Sequence, residues 1–598
     1  MKKLFTLLAL VVLTATTMAA YDFEVGGIYY NLEWGKTDEV NVTYKSENCY
    51  SGKVVIPEKV TYNGKTYTVV SINSNAFYGC VNLAEVVLPN TITEIWNWVF
   101  HGCTRLERID IPSSVTAIGA SVFSNCTALK QVTLPSKLTK IGTNAFEGCT
   151  SLTEISIPNS VTTIGSYLFK DCTALTKANI PRGITEVPDG YFAGCTSLQQ
   201  FTIPEGITRI DDYAFYECSG LKSITIPSSV KEIGTSSFSG CTSMKSITIP
   251  SSVTVIGGYA FSRMGITEIS LPASVTTVKA RAFNECKNLT KVTSLGSISV
   301  LDEYVFAKCS LLTNVTLPNT LTTINSDAFW DCTSLSKIVL PKNLKSLNPL
   351  AFIDCSALKE FAVDAANPNF TAVGGILFSK DKTTLVCYPF GKGGTSYTIP
   401  AGVRTIGDNA FRGLENFTNI TFPMGLKTIG ISGFGDCSGL TQINLPDGLT
   451  TLGDGAFWGC DNLKEVTLPS TVTSMECAFW WCASLSKMYC KAKTPIKTVN
   501  RLFSNTPVKT ATLYVPIGSK AAYQAAAGWK DFGTIIEMDF PATKGDVNGD
   551  GQVNVSDVTA LISRILGTAS YADNVCDVNG DGQVNVSDVT ALIALILA

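Results

Sequence analysis

Apolar positions recur along this chain in a fixed pattern that divides most of it into similar units. Residues 154–157 of one unit alternate polar and apolar side chains and are rich in β-branched residues, which predicts a short strand. Pro158 ends this strand because proline cannot donate to a ladder, and Gly165 favours a turn. Each unit therefore predicts one strand that stacks in parallel on its neighbours. The apolar set of this unit is Leu152, Ile155, Ile157, Val161, Ile164 and Phe169.

The units repeat at an interval of 23 residues through most of the chain. A phenylalanine stands three residues before an anchor position in every unit, as Phe77 stands before Cys80. Self-similarity at such a period is typical of a solenoid, in which each unit buries its apolar face only against its neighbours. The anchors are Cys80, Cys103, Cys126, Cys149, Cys172, Cys195, Cys218, Cys241, Met264, Cys286, Cys309, Cys332, Cys355, Leu414, Cys437, Cys460 and Cys482.

Three stretches lack this period and predict the domain boundaries. Residues 21–60 contain alternating runs and predict an N-terminal β cap. Repeats are expected over 61–487, with an inserted hairpin at about 360–398 that turns at Lys380–Lys382. Residues 488–542 predict a C-terminal cap or linker, because the ends of a repeat array need covering.

The first 20 residues are typical of a secretory signal peptide. Lys2 and Lys3 are followed by an apolar run and then by the small residues Ala19 and Ala20. No later stretch approaches the roughly 20 apolar residues that a membrane helix needs. The sequence therefore predicts a secreted, extracellular protein without a transmembrane segment.

Charge is low and unevenly distributed. The formal net charge is −3, but residues 543–598 carry two basic residues against seven aspartates. The repeat region is close to neutral, so it lacks the basic surface with which proteins neutralise phosphates. Nucleic acid is therefore not an expected partner.

The twenty cysteines allow two interpretations. Most stand at the anchor position, where Met264 and Leu414 also occur, which favours a small buried apolar role. Stacked units about 4.8 Å apart would also allow neighbouring thiols to pair, as exported proteins often do. The better disulfide candidates lie outside the anchor series, at Cys49, Cys387, Cys477, Cys490 and Cys576.

The repeat resembles the BspA-like (Treponema pallidum type) leucine-rich repeats, whose motif is LxxIxIPxxVxxIGxxAFxxC. The resemblance covers about residues 60–490. It implies an α+β, mainly β fold: a leucine-rich repeat solenoid with capping hairpins, followed by a small all-α domain. Members of this family are bacterial surface or secreted proteins, and several act as adhesins.

The sequence DVNGDGQVNVSDVTALI occurs twice near the C-terminus, at 546–562 and 577–593. Each copy places oxygen-bearing residues at positions 1, 3, 5, 7, 9 and 12 of a calcium loop, position 7 through its carbonyl. Gly551 and Gly582 at position 6 permit the sharp turn. Converging carboxylates would repel one another without a cation, so two Ca²⁺ ions are predicted. The predicted ligands are Asp546, Asn548, Asp550, Gln552, Asn554 and Asp557 in the first loop, and Asp577, Asn579, Asp581, Gln583, Asn585 and Asp588 in the second.

Only the segments after these loops are predicted to be helical, because those before them are poor helix formers. A paired loop–helix unit over 543–598 resembles a type I dockerin, which implies calcium-dependent docking to a cohesin domain of a scaffoldin or surface protein. The near-identity of the halves implies that either half can face the partner. A Val-Ser pair replaces the usual Ser-Thr pair at the partner-contacting loop positions. The resemblance assigns partner contacts to Val555, Ser556, Ile562, Ser563, Val586, Ser587, Ile593 and Ala594.

No catalytic constellation is evident. His101 is the single histidine, and it stands at a variable turn position where Tyr, Ser, Glu and Lys also occur. A multi-histidine zinc site and an ordinary Ser/Cys–His–Asp triad therefore have no basis. We predict a non-catalytic binding or adhesion protein. The alternative is a carbohydrate-active, polysaccharide-degrading subunit of a cellulosome-like complex, since dockerins often accompany glycoside hydrolases.

The ligand of the repeats is an unknown protein or glycan. The position between the two strand apolars is a row of mostly hydroxyl side chains, such as Thr133, Thr202 and Thr225. Such a row fits a solvated strand face as well as a docking surface. Aromatic side chains are concentrated elsewhere, and the best candidate for a contact site is the patch of Trp458, Trp480 and Trp481.

Overall fold

The computed structural model describes residues 21–46, 48–497, 502–540, 544–549 and 553–597. The predicted signal peptide, residues 1–20, lies outside them. The chain divides into two compact units between Ile266 and Thr267. Among the described residues, no helix has both the length and the apolar character needed to cross a membrane.

The repeats form two parallel ladders, and most repeats contribute one strand to each. The first ladder uses the apolar run before the repeat proline, as where Arg108–Asp110 pairs with Gln131–Thr133. The second uses two residues before the repeat glycine, as where Ala117–Ile118 pairs with Lys140–Ile141. The prediction of one strand per unit is wrong, because a two-residue strand is too short to show a period of two.

The first unit begins with antiparallel strands and continues as a stack of repeats. Its N-terminal strands are Phe23–Val25, Ile28–Leu32, Glu39–Thr43 and Lys59–Tyr62. Its first-ladder strands are Gly52–Val55, Leu83–Val87, Arg108–Asp110, Gln131–Thr133, Gln200–Thr202 and Ser223–Thr225. Its second-ladder strands are Lys65–Ile72, Glu94–Ile95, Ala117–Ile118, Lys140–Ile141, Thr163–Ile164, Glu186–Val187, Arg209–Ile210, Glu232–Ile233 and Val255–Ile256.

The second unit contains further repeats. Its first-ladder strands are Glu268–Leu271, Lys291–Leu295, Asn314–Val315, Lys337–Leu340, Glu360–Val363, Ser396–Thr398, Asn419–Thr421, Gln442–Asn444, Glu465–Leu468, Lys487–Cys490, Thr512–Pro516 and Thr534–Met538. Its second-ladder strands are Thr277–Val278, Val300–Leu301, Thr323–Ile324, Ser346–Leu347, Thr405–Ile406, Thr428–Ile429, Thr451–Leu452 and Ser474–Met475.

An inserted meander interrupts the repeats of the second unit. The strands Phe370–Val373, Ile376–Ser379 and Thr384–Cys387 are antiparallel, and Thr384–Cys387 then joins the second ladder. The chain turns between the last two strands at Lys382, whose φ is 62°. The inserted segment thus contains three strands, of which the last two form the hairpin expected from sequence.

Helices are confined to the second unit of the described chain. The α-helices are α1 (Lys520–Ala525), α2 (Val555–Ile565), α3 (Asp573–Cys576) and α4 (Val586–Leu597), and 3₁₀ turns occur at Pro349–Phe352 and Trp529–Asp531. The predicted fold class, mainly β stacked repeats followed by a small helical domain, is confirmed. The exact domain boundaries stay predictions.

A column of phenylalanine rings forms the centre of each stack. In the first unit, consecutive rings from Phe77 to Phe261 have centroids 5.1–5.9 Å apart. In the second unit, consecutive rings from Phe283 to Phe352 are 5.4–5.6 Å apart. The anchor cysteines are buried beside these rings, and all twenty cysteines are free thiols. Burial of a small apolar group, rather than pairing, is therefore the role that these anchors play.

In the first unit, the turn around each repeat phenylalanine has two residues in the left-handed region of backbone conformation. Alternate amides of this turn bond to the next repeat, as where the N–H groups of Phe77 and Gly79 donate to the carbonyls of Val99 and His101 at 2.9 and 2.8 Å. In the first unit the first left-handed position holds Asn75, Trp98, Ser121, Asn144, Tyr167, Gly190, Tyr213, Ser236 and Tyr259. The second holds Gly79, Gly102, Asn125, Gly148, Asp171, Gly194, Glu217, Gly240 and Arg263.

Candidate functional site

The first predicted calcium loop leads into α2 through a capping box. The side chain of Asn554 accepts the N–H of Ser556 at 2.8 Å. Asp557, which is fully buried, accepts the N–H of Asn554 at 2.8 Å through Oδ2 and that of Asn548 at 3.1 Å through Oδ1. One aspartate therefore joins both sides of the loop to the first turn of the helix.

The second loop repeats this arrangement atom for atom. Asp588 accepts the N–H of Asn585 at 2.8 Å and that of Asn579 at 3.0 Å. Burial raises the pKa of the Asp588 carboxyl, but the backbone N–H groups of Asn585, Asn579 and Val578 lower that pKa by more, so it lies below its ordinary value. The carboxylate is therefore held in its charged form beneath the loop.

Loop closure in the second copy depends on Asp577 at position 1. Its Oδ1 accepts the N–H groups of Gly580 and Asp581 at 2.7 and 3.1 Å, and its Oδ2 accepts that of Gly582 at 2.9 Å. Gly582 has φ 83°, a left-handed conformation that suits glycine at position 6. The amide of Asn579 donates to Asp581 at 3.0 Å, which brings the position 3 and position 5 side chains together.

The donor chemistry of the second loop fits a hard cation. Its side chains offer carboxylate and amide oxygens, which are the ligands that Ca²⁺ takes. Across the described residues, no group of three or more His, Cys, Asp or Glu side chains is placed to hold a metal ion. In the first loop, Asp550 and Gln552 lie outside the described residues, whereas Asp546, Asn548, Asn554 and Asp557 lie within them.

The two loop–helix units share a small core and expose matching side chains. Leu561, Val575 and Leu592 pack together, and a one-turn helix (α3) precedes the second loop, where none was expected. Val555 and Val586 are 70% and 69% exposed, and Ile562 and Ile593 are 41% and 42% exposed. Ser556, Ser587 and Ala594 are exposed and Ser563 is half-buried. Each helix thus presents the same apolar pair, seven residues apart and on one face.

Comparison with known families agrees with this architecture. The model of the BspA type leucine rich repeat region matches residues 46–176, 163–290, 276–389 and 390–516. The chain belongs to the BspA-type leucine-rich repeat family. Residues 544–597 of this BspA-type protein match the dockerin type I domain, and domains of that type bind calcium.

Solved structures similar to this BspA-type protein are bacterial leucine-rich repeat proteins. One from Bacteroides ovatus ATCC 8483 is 31% identical over 75% of this chain and 95% of its own, with a TM-score of 0.52. The T. pallidum leucine-rich repeat protein is 28% identical over 37% of this chain and 90% of its own, with a TM-score of 0.29.

A leucine-rich cell surface protein from Faecalibacterium prausnitzii A2-165 is 20% identical over 87% of this chain and 95% of its own, with a TM-score of 0.26. Only the first of these three comparisons supports a shared fold by its TM-score. No curated protein matches the chain.

The predicted aromatic patch of this BspA-type protein is only partly exposed. Trp481 is 48% exposed, whereas Trp458 and Trp480 are half-buried. The guanidinium of Arg412 lies over the Trp458 ring, 5.1 Å from its centroid. In the hydroxyl row, Thr133, Thr202 and Thr225 are exposed, which fits both a solvated strand face and a docking surface.

Sequence reasoning missed a different aromatic group. One cavity in the first unit is lined by Tyr44, Tyr78, Trp98 and His101. For His101 the sequence alone indicates only a variable turn position. The available signal was that aromatic or imidazole rings occupy equivalent turn positions in two adjacent repeats, at Tyr78 and His101.

Proposed function

We propose that this chain is a secreted, non-catalytic binding or adhesion protein that attaches to a cohesin-bearing scaffold or cell surface. The dockerin makes this attachment, and it can bind a cohesin domain only when Ca²⁺ is bound. The observation that carries this proposal is the pair of loop–helix units with matching hydrogen bonds around Asp557 and Asp588. Export through the signal peptide at residues 1–20 is part of the proposal.

Two Ca²⁺ ions are proposed, one for each loop. Bound calcium would neutralise carboxylates that otherwise repel one another, and folding of the loops would be coupled to binding. Position 7 would contribute its main-chain carbonyl. The ligands would be Asp546, Asn548, Asp550, Gln552, Asn554 and Asp557 for one ion, and Asp577, Asn579, Asp581, Gln583, Asn585 and Asp588 for the other.

The exposed apolar pairs form the proposed cohesin-contacting faces. Ile562 and Ile593 are exposed large apolar side chains at matching positions of a domain of fewer than 60 residues, and Val555 and Val586 are exposed on one helical face with them. The matched exposure of the two faces supports two alternative orientations of the partner. The contact residues would be Val555, Ser556, Ile562 and Ser563 on one face, and Val586, Ser587, Ile593 and Ala594 on the other.

A non-catalytic role is supported by the families involved. Both matched regions belong to repeat and dockerin families rather than to catalytic ones. The repeats would therefore supply the binding surface and the dockerin the attachment. A polysaccharide-degrading activity would contradict this assignment.

The test uses the full chain with each of a panel of immobilised type I cohesin domains. We expect the chain to bind at least one cohesin domain in about 2 mM Ca²⁺ and to lose this binding in excess EDTA, because the loops need the cation to fold. Failure to bind any domain, or binding that survives the chelator, would contradict the proposal. Release of reducing sugar from plant polysaccharides by the same preparation would contradict the non-catalytic assignment.

A further inference from the structure

A cavity of about 390 Å³ opens in the first unit between the N-terminal strands and the first two repeats. Tyr44 reaches it from the end of the strand Glu39–Thr43. The other side chains come from the left-handed turns of two successive repeats. The lining residues are Tyr44, Asn75, Tyr78, Trp98 and His101. Its volume falls in the range of roughly 300–1,000 Å³ typical of small-molecule sites.

Trp98 occupies a backbone position that disfavours it. Its φ is 55°, and the equivalent position holds residues that adopt this conformation readily, such as Asn75, but also the tyrosines Tyr167 and Tyr213. The amide of Trp98 donates to the carbonyl of Ala120 at 2.8 Å, which fixes the backbone in the stack. The Trp98 side chain is nevertheless 43% exposed, so burial does not explain why tryptophan stands here.

His101 and Tyr78 form a rigid wall of the cavity. Their rings are stacked, with centroids 4.8 Å apart and planes 10° from parallel. The Nδ1 atom of His101 is enclosed and has no hydrogen-bond partner in the described structure. Burial lowers the pKa of His101, so the imidazole is neutral at pH 7. Because Nδ1 is enclosed, the wall offers a ligand the stacked ring surfaces of Tyr78 and His101 rather than this atom.

The side chains that line the cavity indicate which class of ligand it can bind. Aromatic faces pack against the C–H faces of a pyranose ring, while tyrosine hydroxyl, amide and imidazole groups bond to its hydroxyl edge. Among the residues that the structure describes, no charged side chain lines the cavity, so these residues offer no ionic partner to a phosphate, carboxylate or ammonium group. We propose that Tyr44, Asn75, Tyr78, Trp98 and His101 form a binding site for a neutral sugar residue of a glycan.

This inference rests on the proposed role of the repeats as a binding surface, and it names the class of ligand. It places the site in the first unit rather than at the predicted Trp458, Trp480 and Trp481 patch. It does not depend on calcium or on the dockerin.

The test titrates the full chain with neutral gluco-, xylo-, manno- and galacto-oligosaccharides of about six residues and with acidic oligogalacturonate. Saturable binding of at least one neutral oligosaccharide is expected by calorimetry. Trp98→Asn should weaken it at least tenfold, because it removes the stacking face while placing in the turn the residue that the equivalent position holds at Asn75. His101→Ser, which matches Ser124 of the next repeat, should weaken it severalfold.

Tyr213→Asn is the matched control. Tyr213 occupies the equivalent left-handed position and is 39% exposed, but it does not line the cavity. The Tyr213→Asn protein should bind sugar as the unmodified protein does. All three variants (Trp98→Asn, His101→Ser and Tyr213→Asn) should retain the far-ultraviolet circular dichroism spectrum of the unmodified protein. Absence of binding to every neutral sugar, preference for the acidic one, or equal binding by Trp98→Asn would overturn the proposal. Cohesin binding by Trp98→Asn should be unchanged, which separates this result from failure of the proposed attachment.

Discussion

The thiol of Cys172 donates a hydrogen bond to the main-chain carbonyl of Phe146, which lies 26 residues earlier and 3.0 Å away. That carbonyl also accepts the amide of Cys149, at 3.2 Å, within its own repeat. Equivalent thiol bonds connect successive repeats from Cys103 onward. Cysteine suits the anchor because its side chain is small and apolar yet carries one weak donor.

Replacing Cys172 by alanine should lower the free energy of unfolding by about 1–3 kcal/mol, because the change removes a buried sulfur and a hydrogen bond. Urea denaturation followed by circular dichroism measures the effect. The control is Cys49→Ala, since Cys49 is half-buried and lies outside the anchor series. An equal loss in both variants would contradict a special role for the anchor thiol.

The stability of the repeats should fall in alkaline solution. Burial raises the pKa of the anchor thiols Cys126 and Cys218 to about 12. Unfolded thiols titrate near 8.5, so this contribution is complete below that pH and is lost as pH rises toward 12. Each of these two thiols should add a slope of about 1.4 kcal/mol per pH unit above pH 8.5.

Unfolding free energies at pH 8, 9 and 10 measure this slope. The double variant Cys126→Ala, Cys218→Ala should show a shallower slope than the parent protein, because two of the titrating groups are gone. A parent protein whose stability is unchanged between pH 8 and pH 10 would contradict the prediction.

Calcium titration of the chelator-treated full chain should show two bound ions. Asp546→Ala and Asp577→Ala should each leave one, because each removes position 1 of one loop. Hydrogen exchange within residues 553–597 should accelerate in EDTA, while exchange in the repeats stays the same. Asp539→Ala, an exposed aspartate outside both loops, is the control and should retain two ions.

The matched faces of the dockerin should be interchangeable. Ile562→Asp and Ile593→Asp should each weaken cohesin binding by about twofold, because the other face remains available. The double variant should weaken it by about a hundredfold or more, since loss of a central apolar contact on both faces costs several kcal/mol. Surface plasmon resonance measures all three. A hundredfold loss in either single variant would show that only one face is used.

Several features of the fold could be predicted from sequence because they repeat in register. The interval of 23 residues identified the stack, and the Phe77–Cys80 spacing identified its core side chains. The duplicated loops predicted two equivalent loop–helix units, and the structure bonds loop N–H groups to Asp557 in one unit and to Asp588 in the other; the calcium ligands themselves stay predictions. In each case the residues that act together are close in sequence or are repeated at equivalent positions.

Other features depend on contacts between distant residues. The second ladder consists of pairs such as Ala117–Ile118, which are too short to carry an alternating pattern. The short helix α3 forms in a segment of weak helix formers because its Val575 and Cys576 are buried in the dockerin core. The aromatic cavity joins Tyr44 to Trp98 across 54 residues, and no local pattern indicates such a junction.

The hydrogen bond from the Cys172 thiol to the preceding repeat affects how the number of repeats can change. Each thiol bonds to the carbonyl of the immediately preceding turn, so deletion or duplication of a whole 23-residue turn places a new but equivalent donor beside each acceptor. Loss or gain of a whole repeat would therefore change the length of the chain while keeping these thiol hydrogen bonds. Copy number could then diverge among strains while the ends of the chain keep their separate tasks.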